Sequence, residues 1–190
     1  MVKEHRVRPV RQFQVGRVAL IVDLGPVLCH QVPGLRIYGE TDPTRMREKV
    51  GVIPFNLDGI SHFLVAAILG YEGGIGVRSG CFCAHPYVVH LLQLDPVTAS
   101  TWRDQLLNGD KSNMPGMVRM SFGCYNDTGD VDRLVDMLER IVRGDYEGEY
   151  RLDRASGEYL PVSFSEPLAD YFQLEAPKAA SPGRLQLQPA

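Results

Sequence analysis

The stretch from Arg78 to Pro86 reads RSGCFCAHP and places two thiols, Cys81 and Cys83, one residue apart. A short apolar run with glycines, residues 74–77, leads into it and is typical of a buried strand. The proline that closes the stretch is favoured at the start of a helix. The pattern therefore predicts a loop that carries two cysteines between a strand and a helix.

Cys83 is a candidate nucleophile in this loop. Arg78 places a fixed positive charge within a few residues of its sulfur atom. A neighbouring cation lowers the pKa of a thiol, and the thiolate is the reactive form that covalent catalysis needs. The plain alternative is a small cysteine buried under a turn, which is the commoner fate of this residue type.

Cys81 allows two interpretations. A second thiol next to the first can relay sulfur or resolve a persulfide by exchange, or it can simply fill space. A metal site is a competing use of this loop, because Cys81, Cys83 and His85 are soft ligands close together. Zinc sites usually draw four ligands from two separated pairs. The sequence offers no second pair, so we expect no metal.

The loop resembles the active-site loop of class V, fold-type I pyridoxal-phosphate enzymes, the group that includes aminotransferases and cysteine desulfurases. Selenocysteine-lyase-like desulfurases carry Arg-Thr-Gly-His-His-Cys-Ala at this point. Cys81 and Phe82 replace the two histidines, and the resulting Gly-Cys-Phe-Cys run is similar to the loop of molybdenum-cofactor sulfurases. The residues that fit the desulfurase pattern are Arg78, Gly80, Cys83 and Ala84.

Segments on both sides of the loop extend the resemblance. Residues 52–59 resemble the strand that precedes the loop, and residues 117–126 resemble the strand that carries the family's substrate-carboxylate arginine. Residues 131–135 resemble the final helix. The match covers about residues 26–143 and implies the small C-terminal domain of such an enzyme.

The resemblance implies a role for each site residue. Cys83 would take sulfur from a cysteine-like substrate, become a persulfide and leave alanine. Arg119 would bind the α-carboxylate, since arginine holds a carboxylate through two parallel hydrogen bonds; the alternative is an ordinary strand arginine. Arg78 is a weaker candidate for contact with substrate or cofactor phosphate. His85 is a candidate for proton transfer because it adjoins the loop.

The other histidines of the predicted helices have a plainer interpretation. His62 and His90 fall where a helix surface is expected. Among the cysteines, Cys29 and Cys124 lie in apolar stretches, so we expect Cys83 to be the most reactive thiol.

The resemblance implies pyridoxal phosphate in the complete enzyme, held through a lysine. No lysine of this chain lies in a recognisable aldimine motif, so we expect no cofactor bound covalently by this chain alone. The chain has Lys3, Lys49, Lys111 and Lys178. A large domain preceding residue 1 would supply the lysine, and we expect the chain to be inactive without it.

The predicted function is therefore the C-terminal domain of a class V enzyme, most like a cysteine desulfurase. Two alternatives stay open. One is a non-catalytic sulfur carrier or binding module derived from that domain, and the other is a class V aminotransferase half completed by a separate large-domain chain. The expected partners are a cysteine-like amino acid, a large-domain chain or a homodimer partner, and a sulfur acceptor protein.

Composition is that of an ordinary globular chain. The chain has 190 residues, of which 44% are hydrophobic, and a formal net charge of −3. This charge gives no electrostatic reason to expect nucleic acid or an anionic membrane as a partner. The apolar stretch at residues 17–28 is interrupted and lacks a signal-peptide cleavage pattern. Four cysteines in this context suggest reduced thiols. We therefore expect a cytoplasmic protein with no membrane partner.

The predicted fold is α+β: a small, largely antiparallel sheet with helices packed on one face. We expect a divergent or poorly ordered N-terminus at 1–25, the class V-like domain at 26–145, an accessory extension at 146–175 and a disordered tail at 176–190. The pattern predicts strands at 35–38, 50–57, 75–78 and 117–122, a hairpin of 149–152 with 159–164, and helices at 17–31, 62–71, 87–94, 98–107 and onward from a Thr128 cap.

Overall fold

The structure is a computed structural model that describes residues 32–42, 45 and 51–165. The predicted N-terminal segment at 1–25, the helix at 17–31 with Cys29, and the tail at 176–190 lie outside the described residues.

The centre of the fold is a four-stranded antiparallel sheet with the strand order β1-β2-β4-β3. The central strands are buried with a period of two: Ile53, Phe55 and Leu57 of β2 are buried and alternate with less buried neighbours. They therefore give the sheet one apolar face. The strands are β1 (Leu35–Ile37), β2 (Val52–Leu57), β3 (Arg78–Gly80) and β4 (Met117–Ser121).

Two helices cover that apolar face. Helix α1 (His62–Tyr71) and helix α4 (Thr128–Arg143) bury their apolar residues against Phe55, Val118 and their neighbours in one core. The α+β fold with a small antiparallel sheet is therefore confirmed. A short helix, α2 (His85–Leu91), contributes Val88 to a second small cluster with Tyr38, Cys81 and Met117. Helix α3 (Pro96–Leu107) follows it and buries no residue.

Several predicted element boundaries need correction. Strand β3 begins at Arg78 and not at residue 75. The chain before it is still hydrogen-bonded to the end of α1, because the Ile75 N–H donates to the Leu69 carbonyl at 2.8 Å. Helix α2 spans 85–91 rather than 87–94, and α3 begins at 96 rather than 98. The cap of α4 is Asp127, not Thr128; its carboxylate accepts from the N–H groups of Gly129 and Asp130 in a capping box.

The predicted C-terminal hairpin is confirmed as β5 (Tyr150–Leu152) paired with β6 (Tyr159–Pro161). Glu72, at the end of α1, attaches the start of this extension to the domain. Its carboxylate accepts from the backbone of Glu147 and Gly148, each at 3.0 Å, and from the Tyr150 hydroxyl at 2.8 Å. Burial opposes the ionised form, but these hydrogen bonds outweigh it and lower the pKa of Glu72.

Candidate active site at the cysteine loop

The cysteine loop is a tight turn that runs from Cys81 to Ala84. The Ala84 N–H donates to the Cys81 carbonyl at 2.8 Å, and φ is +52° at Phe82 and +60° at Cys83. Two consecutive positive φ angles inside such a hydrogen bond are typical of a type I′ turn. A bulky residue at positive φ is strained by about 1–3 kcal/mol. The surrounding structure must therefore hold this turn in place.

Cys81 is one of the groups that hold the turn. Its side chain is buried, and its Sγ–H donates to the carbonyl oxygen of Pro115 at 3.0 Å. Burial raises the pKa of the Cys81 thiol. Cys81 therefore stays protonated near neutral pH and acts in this geometry as a hydrogen-bond donor between the turn and residue 115.

Cys83 is exposed, in contrast to its neighbour two residues earlier. The turn separates the two thiols, so that one enters the small core cluster and the other faces outward. An exposed thiol on a turn is accessible to a substrate, which is the first requirement for a nucleophile. The predicted catalytic role of Cys83 is compatible with this placement.

Arg119 and Arg78 lie side by side next to the turn. They are directly paired between β3 and β4, so their side chains leave the same face of the sheet. The guanidinium carbon of Arg119 lies 5.1 Å from the centre of the Phe82 ring, which is a cation–π contact. The Arg119 Nε is buried and has no hydrogen-bond partner among the described residues.

Neither arginine makes a salt bridge with a carboxylate in the part of the chain that the structure describes. Two unneutralised cations on one face, one of them partly desolvated, favour the binding of an anion. The sheet register therefore places two arginine side chains next to the turn that carries Cys83.

The burial of the described histidines agrees with the sequence prediction for His90 but not for His62. His85 is the first residue of α2 and is exposed two positions beyond Cys83, so its predicted role in proton transfer stays a prediction. His90 is exposed, as predicted. The prediction that His62 lies on a helix surface is wrong, because its side chain is buried. A signal was available, since His62 shares a helix face with Val65 and Leu69 at spacings of three and seven.

His62 contacts the segment that leads into β4. Its Nε2 lies 2.9 Å from the carbonyl oxygen of Met114, while its Nδ1 is buried without a partner among the described residues. Burial lowers the pKa of His62, and the bond to Met114 only partly opposes this shift. His62 is therefore neutral at pH 7, and the contact fits a proton on Nε2 that is donated to Met114.

The apolar environment expected for Cys124 is also wrong. Strand β4 ends at Ser121, and the chain then turns, with the Gly123 N–H donating to the Asn126 side chain at 2.7 Å. Cys124 lies in this turn and is exposed. The apolar residues before it belong to the strand, and their burial does not extend to the turn.

No group of three or more His, Cys, Asp or Glu side chains that could hold a metal ion occurs within the described ranges. Lys111 is the lysine that these ranges contain. Its backbone N–H donates to the Arg154 carbonyl at 2.8 Å, and its carbonyl accepts from Met114. Lys111 therefore lies in the loop before β4, and this loop is hydrogen-bonded to the turn between β5 and β6.

Comparison with known proteins identifies the family. Residues 28–134 match the family described as Aminotransferase class-V. The chain belongs to this family. Membership implies pyridoxal phosphate in the complete enzyme.

The curated relatives are cysteine desulfurases. The chain is 34% identical over 111 residues to a cysteine desulfurase of Serratia proteamaculans, a match that covers 58% of this chain and 20% of that protein. It is 32% identical over 104 residues to a probable cysteine desulfurase of Treponema pallidum, covering 55% and 20%. The chain thus spans about a fifth of the length of the curated relatives it matches.

Solved cysteine desulfurases share this fold. An apo structure from Thermococcus onnurineus aligns with a TM-score of 0.51 at 26% identity, over 68% of this chain and 26% of that one. A structure from Escherichia coli aligns with a TM-score of 0.50 at 22% identity, over 72% and 27%. Among the described residues, no helix has the length and apolar character needed to cross a membrane.

The buried His62 predicts a pH-dependent stability. Its ordinary pKa is 6.5 and its folded pKa is lower, so below pH 6.5 the unfolded chain binds more protons. The free energy of unfolding should therefore fall as the pH falls below 6.5, by at most about 1.4 kcal/mol per pH unit. Urea denaturation of the wild type and of His62→Gln between pH 7.5 and 5.5 measures the free energy of unfolding at each pH. In His62→Gln, the part of its pH dependence that comes from His62 should be absent. Equal slopes in the two proteins would contradict it.

Proposed function

We propose that this chain supplies the sulfur-accepting cysteine and the carboxylate-binding arginine of a cysteine desulfurase. One observation carries the proposal. The exposed Cys83 follows Phe82 in the turn, and the Phe82 ring contacts Arg119, whose Nε is buried and unpaired. An exposed thiol and a cation with an unpaired Nε therefore both neighbour Phe82, which suits a substrate that carries both a sulfur atom and a carboxylate.

The two residues act on opposite ends of the substrate. Arg119 binds the α-carboxylate through charge-assisted hydrogen bonds, and Arg78 adds positive charge from the neighbouring strand. Cys83 bonds to the substrate sulfur as the bond between that sulfur and its carbon breaks. Cysteine and the enzyme thiol give alanine and an enzyme persulfide, and one hydrogen moves to the new methyl group. The reaction balances without an added oxidant or reductant.

We infer that the cofactor is held by residues other than those described, because Lys111, the lysine among them, lies in a loop hydrogen-bonded to the turn between β5 and β6 and not on the cysteine turn. Since the chain spans about a fifth of its curated relatives, this proposal assigns the activity to the chain together with a cofactor-bearing large domain. The relatives named cysteine desulfurase support this reaction over aminotransfer. An exposed cysteine in the loop supports it as well, since aminotransfer needs no thiol nucleophile.

A sulfur carrier is the second candidate function. The exposure of Cys83 favours it independently of any cofactor, because a thiol on an open turn can take a persulfide from another protein by exchange. Cys83 would then receive sulfur and pass it on without breaking a carbon–sulfur bond. Persulfide formation on the chain alone, with a persulfide donor and no cofactor, distinguishes this function.

Replacing Cys83 tests the proposed nucleophile. In the complete enzyme incubated with cysteine, peptide mass spectrometry should find one added sulfur atom on Cys83, and Cys83→Ser should abolish both this adduct and sulfide release to a thiol. Cys124→Ser is the matched control, because Cys124 is also exposed but lies in the turn after β4; this variant should keep the activity. Sulfur found on Cys124 or Cys81 in the wild type would contradict the assignment.

Replacing Arg119 tests the carboxylate site. Arg119→Lys keeps the charge but loses the two-bond geometry, so the KM for cysteine in the complete enzyme should rise by roughly a hundredfold, equivalent to about 2–3 kcal/mol. Arg151→Lys, at an exposed position of strand β5, is the matched control and should leave KM unchanged. An unchanged KM in Arg119→Lys would show that Arg119 is only a strand residue, and Arg78 would be the next candidate.

A further inference from the structure

Three segments of the chain meet at Gly116. A Cβ atom placed there would lie 2.7 Å from both the Cα of Gly80 and the Nε2 of His62. Gly80 immediately precedes the cysteine turn, and Gly116 immediately precedes the strand that carries Arg119. The His62 ring therefore packs where the two halves of the proposed site come closest together.

The residues around this point form a hydrogen-bonded segment, residues 114–116, in which each successive carbonyl accepts from a different side chain. The Met114 carbonyl lies 2.9 Å from the His62 Nε2. The Pro115 carbonyl accepts from the Cys81 thiol at 3.0 Å, and the Gly116 carbonyl accepts from the Asn56 amide at 3.1 Å. Helix α1, the cysteine turn and strand β2 thus each hold one peptide unit of segment 114–116.

Adjacent peptide planes in this segment tend to move together, because Pro115 joins the planes of the Met114 and Pro115 carbonyls and its ring fixes one of the two dihedral angles between them. Release of the Met114 carbonyl would therefore displace the Pro115 carbonyl, which is the acceptor of the Cys81 thiol. Cys81 is the first residue of a turn whose strained φ angles at Phe82 and Cys83 need external support. The orientation of the exposed thiol thus depends on a contact made by His62.

A histidine at this position is costly, which argues for a use beyond packing. Its Nδ1 is a buried acceptor with no partner among the described residues, and an apolar side chain would avoid this penalty. Burial lowers the pKa of His62, the hydrogen bond to the Met114 carbonyl partly opposes this, and no described side-chain charge contributes. What the histidine provides is a neutral donor that reaches Met114.

We infer that His62 is a positioning residue for Cys83: its bond to Met114 fixes segment 114–116, which fixes Cys81 and with it the cysteine turn. His62 does not touch the reacting atoms in this scheme. Its effect on catalysis rests on the proposed function, whereas its effect on the turn does not.

The alkylation rates of the cysteines test whether His62 fixes the cysteine turn. His62→Gln retains a side-chain N–H that can reach Met114, whereas His62→Leu and His62→Met remove the donor and keep an apolar volume. Alkylation by iodoacetamide, quantified for each cysteine by tandem mass spectrometry, should show Cys81 protected in the wild type and in His62→Gln. In the two apolar variants the Cys81 rate should rise roughly tenfold, the change expected for loss of about one net hydrogen bond.

Cys124 is the internal control, because no hydrogen bond among the residues that the structure describes joins its turn after β4 to segment 114–116. Its alkylation rate should be equal in all four proteins. Folded apolar variants with Cys81 as protected as in the wild type would overturn the inference. Global unfolding of both, with Cys81 and Cys124 labelled at the same rate, would also overturn it, since His62 would then be a general core residue.

Turnover in the complete enzyme gives the second readout. The kcat for sulfide release should fall roughly tenfold in His62→Leu and recover in His62→Gln, with KM for cysteine unchanged because β2 and β3 hold Arg119 in β4. A fall in the glutamine variant equal to that in the leucine variant would overturn the role of the donor. If the wild type forms no persulfide on Cys83, the proposed function fails, while the alkylation rates still decide the role of His62.

Discussion

The site depends on a close contact at Gly116, which is possible because glycine has no side chain. It brings the His62 ring and the backbone of Gly80 to the start of β4, at distances that a Cβ atom would not allow. The carbonyls that surround this point then receive donors from α1, β2 and the cysteine turn. These bonds offset the strain of a turn that has two non-glycine residues at positive φ.

The turn gives two nearby cysteines opposite properties. Cys81 is buried, with a raised pKa and a hydrogen bond to Pro115, so it contributes to structure as a protonated thiol. Cys83 faces outward, and Phe82 between them reaches the guanidinium of Arg119. The strained residue thus links the exposed thiol to the proposed carboxylate site. This arrangement is the basis for the proposed transfer of sulfur from a small amino acid.

Hydrophobic periodicity and the loop motif were sufficient to predict most of the fold. The spacing of apolar residues predicted α4 and α1, because each buries one face against a single core, and the family resemblance predicted β2. The burial of His62 and the positive φ of Phe82 were not predicted. Phenylalanine has no preference for a positive φ angle. A histidine at the start of a helix is polar, so its residue type gives no reason to expect its burial. The burial of His62 belongs to the close approach at Gly116, which joins segments far apart in sequence and leaves no local pattern.

Substitution of Gly116 by alanine tests this account most directly. Gly116→Ala should lower the free energy of unfolding by about 1–3 kcal/mol, as overpacking does, and should make Cys81 accessible to alkylation. Gly70→Ala is the matched control: Gly70 is exposed on α1 with open space around its Cα, so this variant should be as stable as the wild type or slightly more stable. A Gly116→Ala protein as stable as Gly70→Ala, with Cys81 still protected, would contradict the account.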